Sequence, residues 1–173
     1  GNIGIAHENT GNYPEALEHY HRALAIYEEL EDRSGVARVI VGIGNVHFRT
    51  GNYPSTLEHY HRALAIDKEQ GDRSGVAAST GNIGNVHSST GNYPAALEHF
   101  HRAFALHEEL GDRSGVARVT SNIGVVHFHT DNYPEALEHY HRALAIHQEL
   151  GESSGVAAVT INIGSVHQRA GNY

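Results

Sequence analysis

The chain has 173 residues, a formal charge of −8 with its 16 histidines neutral, and no cysteine. The missing thiols exclude disulfides, thiolate metal sites and cysteine nucleophiles. The acidic balance argues against nucleic acid, whose binders carry a basic patch, and no apolar run approaches the roughly 18 residues of a membrane span.

Taken in order, the chain repeats one word. Gly-Asn-Tyr-Pro stands at 11–14, 51–54 and 91–94, Asp-Asn-Tyr-Pro at 131–134, and Gly-Asn-Tyr closes the chain at 171–173. Each copy follows the last by 40 residues. A fixed period of this size marks a repeat architecture, stabilised by nearest-neighbour stacking rather than by one central core. The frame gives a partial helix at 1–10, units at 11–50, 51–90, 91–130 and 131–170, and the start of a further unit at 171–173. The chain opens on Gly1 inside a repeat and reads as a piece of a longer protein. The lack of cysteine and of a signal peptide fits an intracellular, cytoplasmic setting.

Within one repeat, Gly71 and Asp72 read as a stop and a start. Glycine suits the left-handed position after a helix, and aspartate caps the next one. Residues 73–90 are predicted as helix A, with Val76, Ile83 and Val86 on one face; the first copy is fuller, with Val36, Val39, Ile40, Ile43 and Val46. Gly91 ends it, and Pro94 enters the first turn of helix B, where a missing N–H costs nothing. Helix B runs over 94–110 with the packed series Tyr93, Ala96, Leu97, Phe100, Ala103, Phe104 and His107. Glu98 and Arg102 stand four apart, as do Glu18/Arg22, Glu58/Arg62 and Glu138/Arg142; such solvated pairs contribute about 0.3–0.5 kcal/mol each. Gly44, Gly84, Gly124 and Gly164 fall inside helix A, where glycine costs about 1 kcal/mol relative to alanine. Their recurrence predicts a close approach of helix B, with Ala23, Ala63, Ala103 and Ala143 as the facing small residues. An antiparallel A–B hairpin is therefore the unit. The last helix A, 153–170, is expected to expose Val156, Val159, Ile163 and Val166 and to favour end-to-end self-association.

The combination Ile83-Gly84, His87, Gly91-x-Tyr93, Ala96, Phe100 and Ala103 resembles the tetratricopeptide repeat (TPR) family over essentially the whole chain. Three features depart from its pattern: a period of 40 rather than roughly 34, a Gly-Asp step in place of the proline closing helix B, and histidine where helix A usually carries tyrosine. The longer period and the Ile-Gly-Asn runs at 43–45 and 83–85 are similar to the extended repeats of LGN-type scaffolds, with kinesin light chain arrays close behind. The resemblance implies an all-α, right-handed α-α superhelix (a TPR solenoid of antiparallel helix pairs) whose A helices line a concave groove that binds extended peptides.

A second stripe on helix A varies between copies while the packing stripe hardly changes. Its candidate peptide-binding residues are Arg38, Asn45, Phe48 and Arg49; Asn82 and Asn85; Arg118, Asn122, Phe128 and His129; Asn162 and Arg169. Arginine forks onto carboxylates, and asparagine pairs with a peptide's backbone donor and acceptor. Arg with Phe stands in the first and third copies (Arg38, Phe48; Arg118, Phe128) and alanine with a polar residue in the second and fourth, a weaker 80-residue period. The expected partner is a protein or peptide of acidic or mixed acidic–apolar character, met by Arg38 and Arg118. The competing reading is a structural spacer or self-assembling array with no ligand of its own.

The histidines offer no helical chelate. The pairs His19/His21, His59/His61, His99/His101, His127/His129 and His139/His141 lie two apart and point to opposite sides of a helix. No metal and no cofactor is expected. His47, His87, His127 and His167 hold an aromatic packing position and are read as half-buried and neutral, which predicts acid sensitivity. No catalytic residue is assigned: there is no Gly-rich phosphate loop and no nucleophile with a placed base, and each candidate recurs as a scaffold position.

Overall fold

The computed structural model describes residues 12–171. Among them are eight helices and no strand: α1 (Tyr13–Glu29), α2 (Arg33–Arg49), α3 (Tyr53–Gln70), α4 (Arg73–Ser89), α5 (Tyr93–Leu110), α6 (Arg113–His129), α7 (Tyr133–Glu149) and α8 (Ser153–Arg169). The even-numbered helices are the A helices of the sequence frame and the odd-numbered ones the B helices. The partial helix expected at 1–10 lies outside the described residues. The chain gathers into two compact units, 1–86 and 87–173.

The turns follow the expected chemistry. Proline stands in the first turn of α1, α3, α5 and α7. Before α3, Asn52 Oδ1 accepts from the Ser55 N–H at 3.3 Å. After α5, Gly111 takes the left-handed conformation at φ 67°, and Asp112 Oδ1 then accepts from the Gly115 N–H at 2.9 Å. A cap of this kind is worth about 1 kcal/mol. Glu31 and Asp131 hold left-handed turns at φ 53° and 58° without being glycine, so the sequence signal there is weaker than the geometry.

Packing follows the apolar stripes. In the first unit Val36, Ala37 and Ile40 of α2 meet Ala63 and Ile66 of α3, and Tyr60 and Leu64 pack with Ile83 and Val86 of α4. In the second, Phe100 and Ala103 of α5 meet Val119, Ile123 and Val126 of α6. Tyr140 and Ala143 of α7 then meet Val159 and Val166 of α8. Of the helix-interior glycines, Gly44 and Gly124 do allow close approach, but the object they admit is an aromatic ring rather than an alanine. A Cβ on Gly44 would stand 2.7 Å from Tyr60 Cε1, and one on Gly124 2.8 Å from Tyr140 Cδ1.

A second set of glycines, recurring at the same 40-residue spacing, gives room for a side chain at the opposite end of the A helices. A Cβ on Gly35, Gly75, Gly115 or Gly155 would run into Tyr27, Asp67, His107 or His147, respectively. The occupant of this slot is not constant between repeats. Where it is Asp67, 7 % exposed, Ser79 Oγ donates to its Oδ2 at 3.1 Å. Ser79 replaces the valine found at Val39 and Val119, so acid and hydroxyl arrive together. Burial pushes the Asp67 carboxyl up, outweighing the opposing effect of Ser79. A raised folded value means the protein loses nothing below the unfolded value near 3.9 and loses stability as pH rises through the folded one. Asp67→Asn is therefore expected to raise the Tm at pH 7 and to leave it unchanged near pH 3. About 1 kcal/mol moves the Tm of a chain this size by about 2–4 °C, so thermal melts at the two pH values check it.

Two expectations about surfaces are corrected. Val159 and Val166 of α8 are buried against α7, and Val156 and Ile163 are half-buried. Helix α8 buries one face of its apolar stripe against the preceding helix α7, leaving Ile161 at 68 % exposure and an open slot at Gly164. The arginines of the i, i+4 pairs also reach further than expected. Arg62 bonds Glu28 of α1 at 3.3 Å, and Arg142 lies 3.6 Å from Glu108 of α5. Arg33–Glu69 and Arg113–Glu149 form parallel bridges. All of these are more than a third exposed, so each adds little to stability.

Candidate functional site

None of the twelve candidate groove residues is buried, and the structure sorts them into four places. Five meet in the first unit: Asn45, Phe48, Arg49, Asn82 and Asn85 line one open recess of about 360 Å³ together with Tyr60. Tyr60 comes from helix B and was not expected there. Its hydroxyl donates to Asn45 Oδ1 at 2.7 Å, which holds the amide in place. The signal lay in the register: Tyr60 packs on Gly44, one residue before Asn45.

Arg118, Asn122 and Asn162 line a larger recess of about 580 Å³ in the second unit, with Ser114, Ser121, Val125 and Ser154. Val125 stands where the first unit has Asn45, so Tyr140 finds no amide partner at that position. Burial pushes its hydroxyl up to about 12. The same recess is edged by His147 and Glu152, two residues outside the variable stripe that the sequence pattern did not mark. His147 Nδ1 lies 2.6 Å from Glu152 Oε2. A hydrogen bond from Ser114 and then the one from His147 hold the Glu152 carboxyl below the usual range, so Glu152 is anionic at neutral pH. Arg118 is exposed and makes no ion pair among the described residues, and the recess therefore carries one charge of each sign. Glu152 was findable as the one cap position at which aspartate (Asp32, Asp72, Asp112) gives way to a longer acid.

Phe128, His129 and Arg169 form a third cluster. The Arg169 guanidinium lies 5.4 Å from the Phe128 ring centroid and 4.0 Å from Asp131 Oδ1, while His129 stacks on Tyr93 at 6.2 Å. Arg38 stands apart from these. Its guanidinium sits 5.9 Å above Tyr27, whereas its counterpart Arg118 has His107 nearby, a ring held neutral by burial against the opposing pull of Asp112. The two arginines read as equivalent in the sequence thus have different surroundings, because the slot residue differs.

Hairpins of this register, with interior glycines admitting a helix-B aromatic, are those of a known repeat. The family model described as "Tetratricopeptide repeat" matches residues 1–69, 35–109 and 115–173. The chain belongs to the tetratricopeptide repeat family. Solved structures with the same fold include BtubC from P. vanneervenii, at 24 % identity and TM-score 0.82 over 98 % of this chain and 71 % of that one. A Rap protein complexed with competence and sporulation factor follows at 19 % identity and TM-score 0.88, over 99 % of this chain and 48 % of that one. A putative kinesin light chain from Podosopora anserina, with nearly identical TPR-like repeats, matches at 14 % identity and TM-score 0.72, over 98 % and 84 %. The TPR chain thus spans about half the length of the Rap structure. No curated protein matches it. The all-α fold of antiparallel TPR helix pairs expected from the sequence is the fold observed, and no described helix is long and apolar enough to cross a membrane.

Proposed function

We propose that this TPR segment is a non-catalytic interaction scaffold whose A helices take an extended peptide of mixed acidic–apolar character. The observation that carries it is the gathering of eight of the twelve variable-stripe residues into two open recesses. The stripe varies more between copies than the packing face does, and solenoids use such surfaces for binding. Each recess offers amides for a peptide backbone. The first adds Phe48 for an apolar side chain, and the second adds Arg118 for a carboxylate beside Glu152, which disfavours a uniformly acidic ligand. A structure of the same fold, the Rap conjugation gene regulator of the plasmid pLS20, at 18 % identity and TM-score 0.85, was solved in complex with the Phr* peptide, which supports a peptide-sized occupant. A spacer or self-assembling array is the second reading, favoured by the open Gly164 slot on α8.

The test is a peptide array of short mixed acidic–apolar sequences probed with the 173-residue chain. Arg118→Glu is expected to weaken the best binders at least tenfold, the loss of one charge-assisted contact and its replacement by repulsion. Arg38→Glu, whose guanidinium leans on Tyr27, is expected to weaken them less. Binding unchanged by both substitutions rejects the groove; sedimentation showing concentration-dependent oligomers without peptide binding favours the array.

A further inference from the structure

The sequence spacing conceals three imidazole pairs that the fold brings together across helices, each with partners twelve residues apart. His47 of α2 faces His59 of α3 with ring centroids 5.2 Å apart, and His127 of α6 faces His139 of α7 at 5.3 Å. His87 and His99 stack at 5.4 Å. All six rings are half-buried; His167, expected to belong with His47, His87 and His127, is exposed.

We propose that the His47/His59 and His127/His139 pairs are an acid-operated latch on the α2–α3 and α6–α7 hairpins, closed while the rings are neutral and loosened by mild acidification. His59 Nδ1 lies 2.7 Å from the Ser55 carbonyl oxygen. That contact fixes the tautomer that donates there and leaves Nε2 as the proton acceptor. One added proton per pair is tolerable, because cation and neutral ring still stack. A second places two cations at ring spacing in a half-buried seam, where like charges disfavour the charged form.

The surroundings do not neutralise them. Around His47 stand His59 and Glu58 from α3 and His21 from α1. Around His139 stand His127 from α6 and His101 from α5, with Glu138 and Arg142 on its own helix. Burial first, and the facing imidazole second, hold His47 and His139 below the ordinary histidine value. The unfolded chain then binds more protons in acid. Stability is intact above about pH 6.5 and declines as pH falls below it. The latch adjoins the groove: Tyr60, next to His59, is the residue that orients Asn45. Acid release of a bound peptide would rest on the groove reading above, but the loosening of the hairpin does not.

Two measurements on the ligand-free chain decide it. Imidazole NMR titration of the wild type is expected to show His47 and His139 taking up their protons below the ordinary histidine value, as the second step of their pairs. Rings that titrate together as ordinary histidines overturn the proposal. Amide hydrogen exchange in α3 and α7, corrected for the intrinsic pH dependence, is expected to lose about tenfold in protection between pH 7.5 and pH 5.5. A His47→Tyr/His127→Tyr variant keeps an aromatic ring at both positions and should lose less than about threefold. An equal loss in variant and wild type places the acid sensitivity elsewhere and also overturns it. If the variant fails to fold, the wild-type titration alone decides, since separated and joint titration remain opposite outcomes.

Discussion

Tyr140→Ala is expected to destabilise the second unit by about 3–5 kcal/mol, the usual range for deleting a buried aromatic ring. Tyr140 is 1 % exposed and packs with Ala136, Ala143, Val159 and Val166. The fully buried members of its cluster are small or β-branched, and Gly124 beneath the ring has no side chain to swing into the void. The cavity therefore collapses poorly, which puts the cost toward the upper end. Tyr140→Phe is the informative control. Phe100, also 1 % exposed, occupies the equivalent place in the preceding repeat, so the slot accepts a ring without a hydroxyl and the change should cost less than about 1.5 kcal/mol. Because repeat arrays unfold by nearest-neighbour coupling and need not be two-state, denaturant melts should be followed with a probe in α7. Tyr140→Ala is expected to shift the α7 transition ahead of one reported from α2. A uniform shift of both would mean that the repeats unfold as one block.

The features legible in the sequence are those decided within one helix or one turn. Val36, Val39, Ile40, Ile43 and Val46 announce α2 because a buried face needs that spacing whatever lies opposite, and Pro94 admits α5 whatever helix precedes it. The candidate stripe was legible for the same reason, which is why Asn45, Phe48 and Arg49 fall in one recess. Features that depend on a neighbour's register were not. Tyr60 reaches Asn45 from another helix, His59 reaches His47 across a hairpin, and Arg62 passes over its own helix to Glu28. The divergence of Arg38 from Arg118 is of the same kind. It follows from Tyr27 giving way to His107 eleven residues earlier, a change that looks neutral until the slot over Gly35 and Gly115 is known.

That slot supports the second large effect. Gly115→Ala gains about 1 kcal/mol of helix propensity, so on local grounds it should stabilise α6. In the fold its new Cβ would stand 2.6 Å from His107 Cε1 and nearer still to Nδ1 and to Asp112 Oδ2. His107 is 2 % exposed and cannot swing away, and Asp112 is the cap of α6 through the Gly115 N–H. Overpacking of a core costs about 1–3 kcal/mol and sometimes more. A contact this short belongs at the top of that range, so a net loss of about 2 kcal/mol is expected despite the propensity gain. The loss can be reduced by emptying the slot. His107→Ala alone leaves a cavity, yet in the double variant the alanine methyl at 115 enters that space. The contact with Asp112 remains, so part of the propensity gain appears, and the two substitutions should couple favourably by roughly 1–3 kcal/mol. Denaturant melts of the four species of the cycle measure this directly. Additive effects would mean that Gly115 is retained for its backbone and not for the side chain it admits.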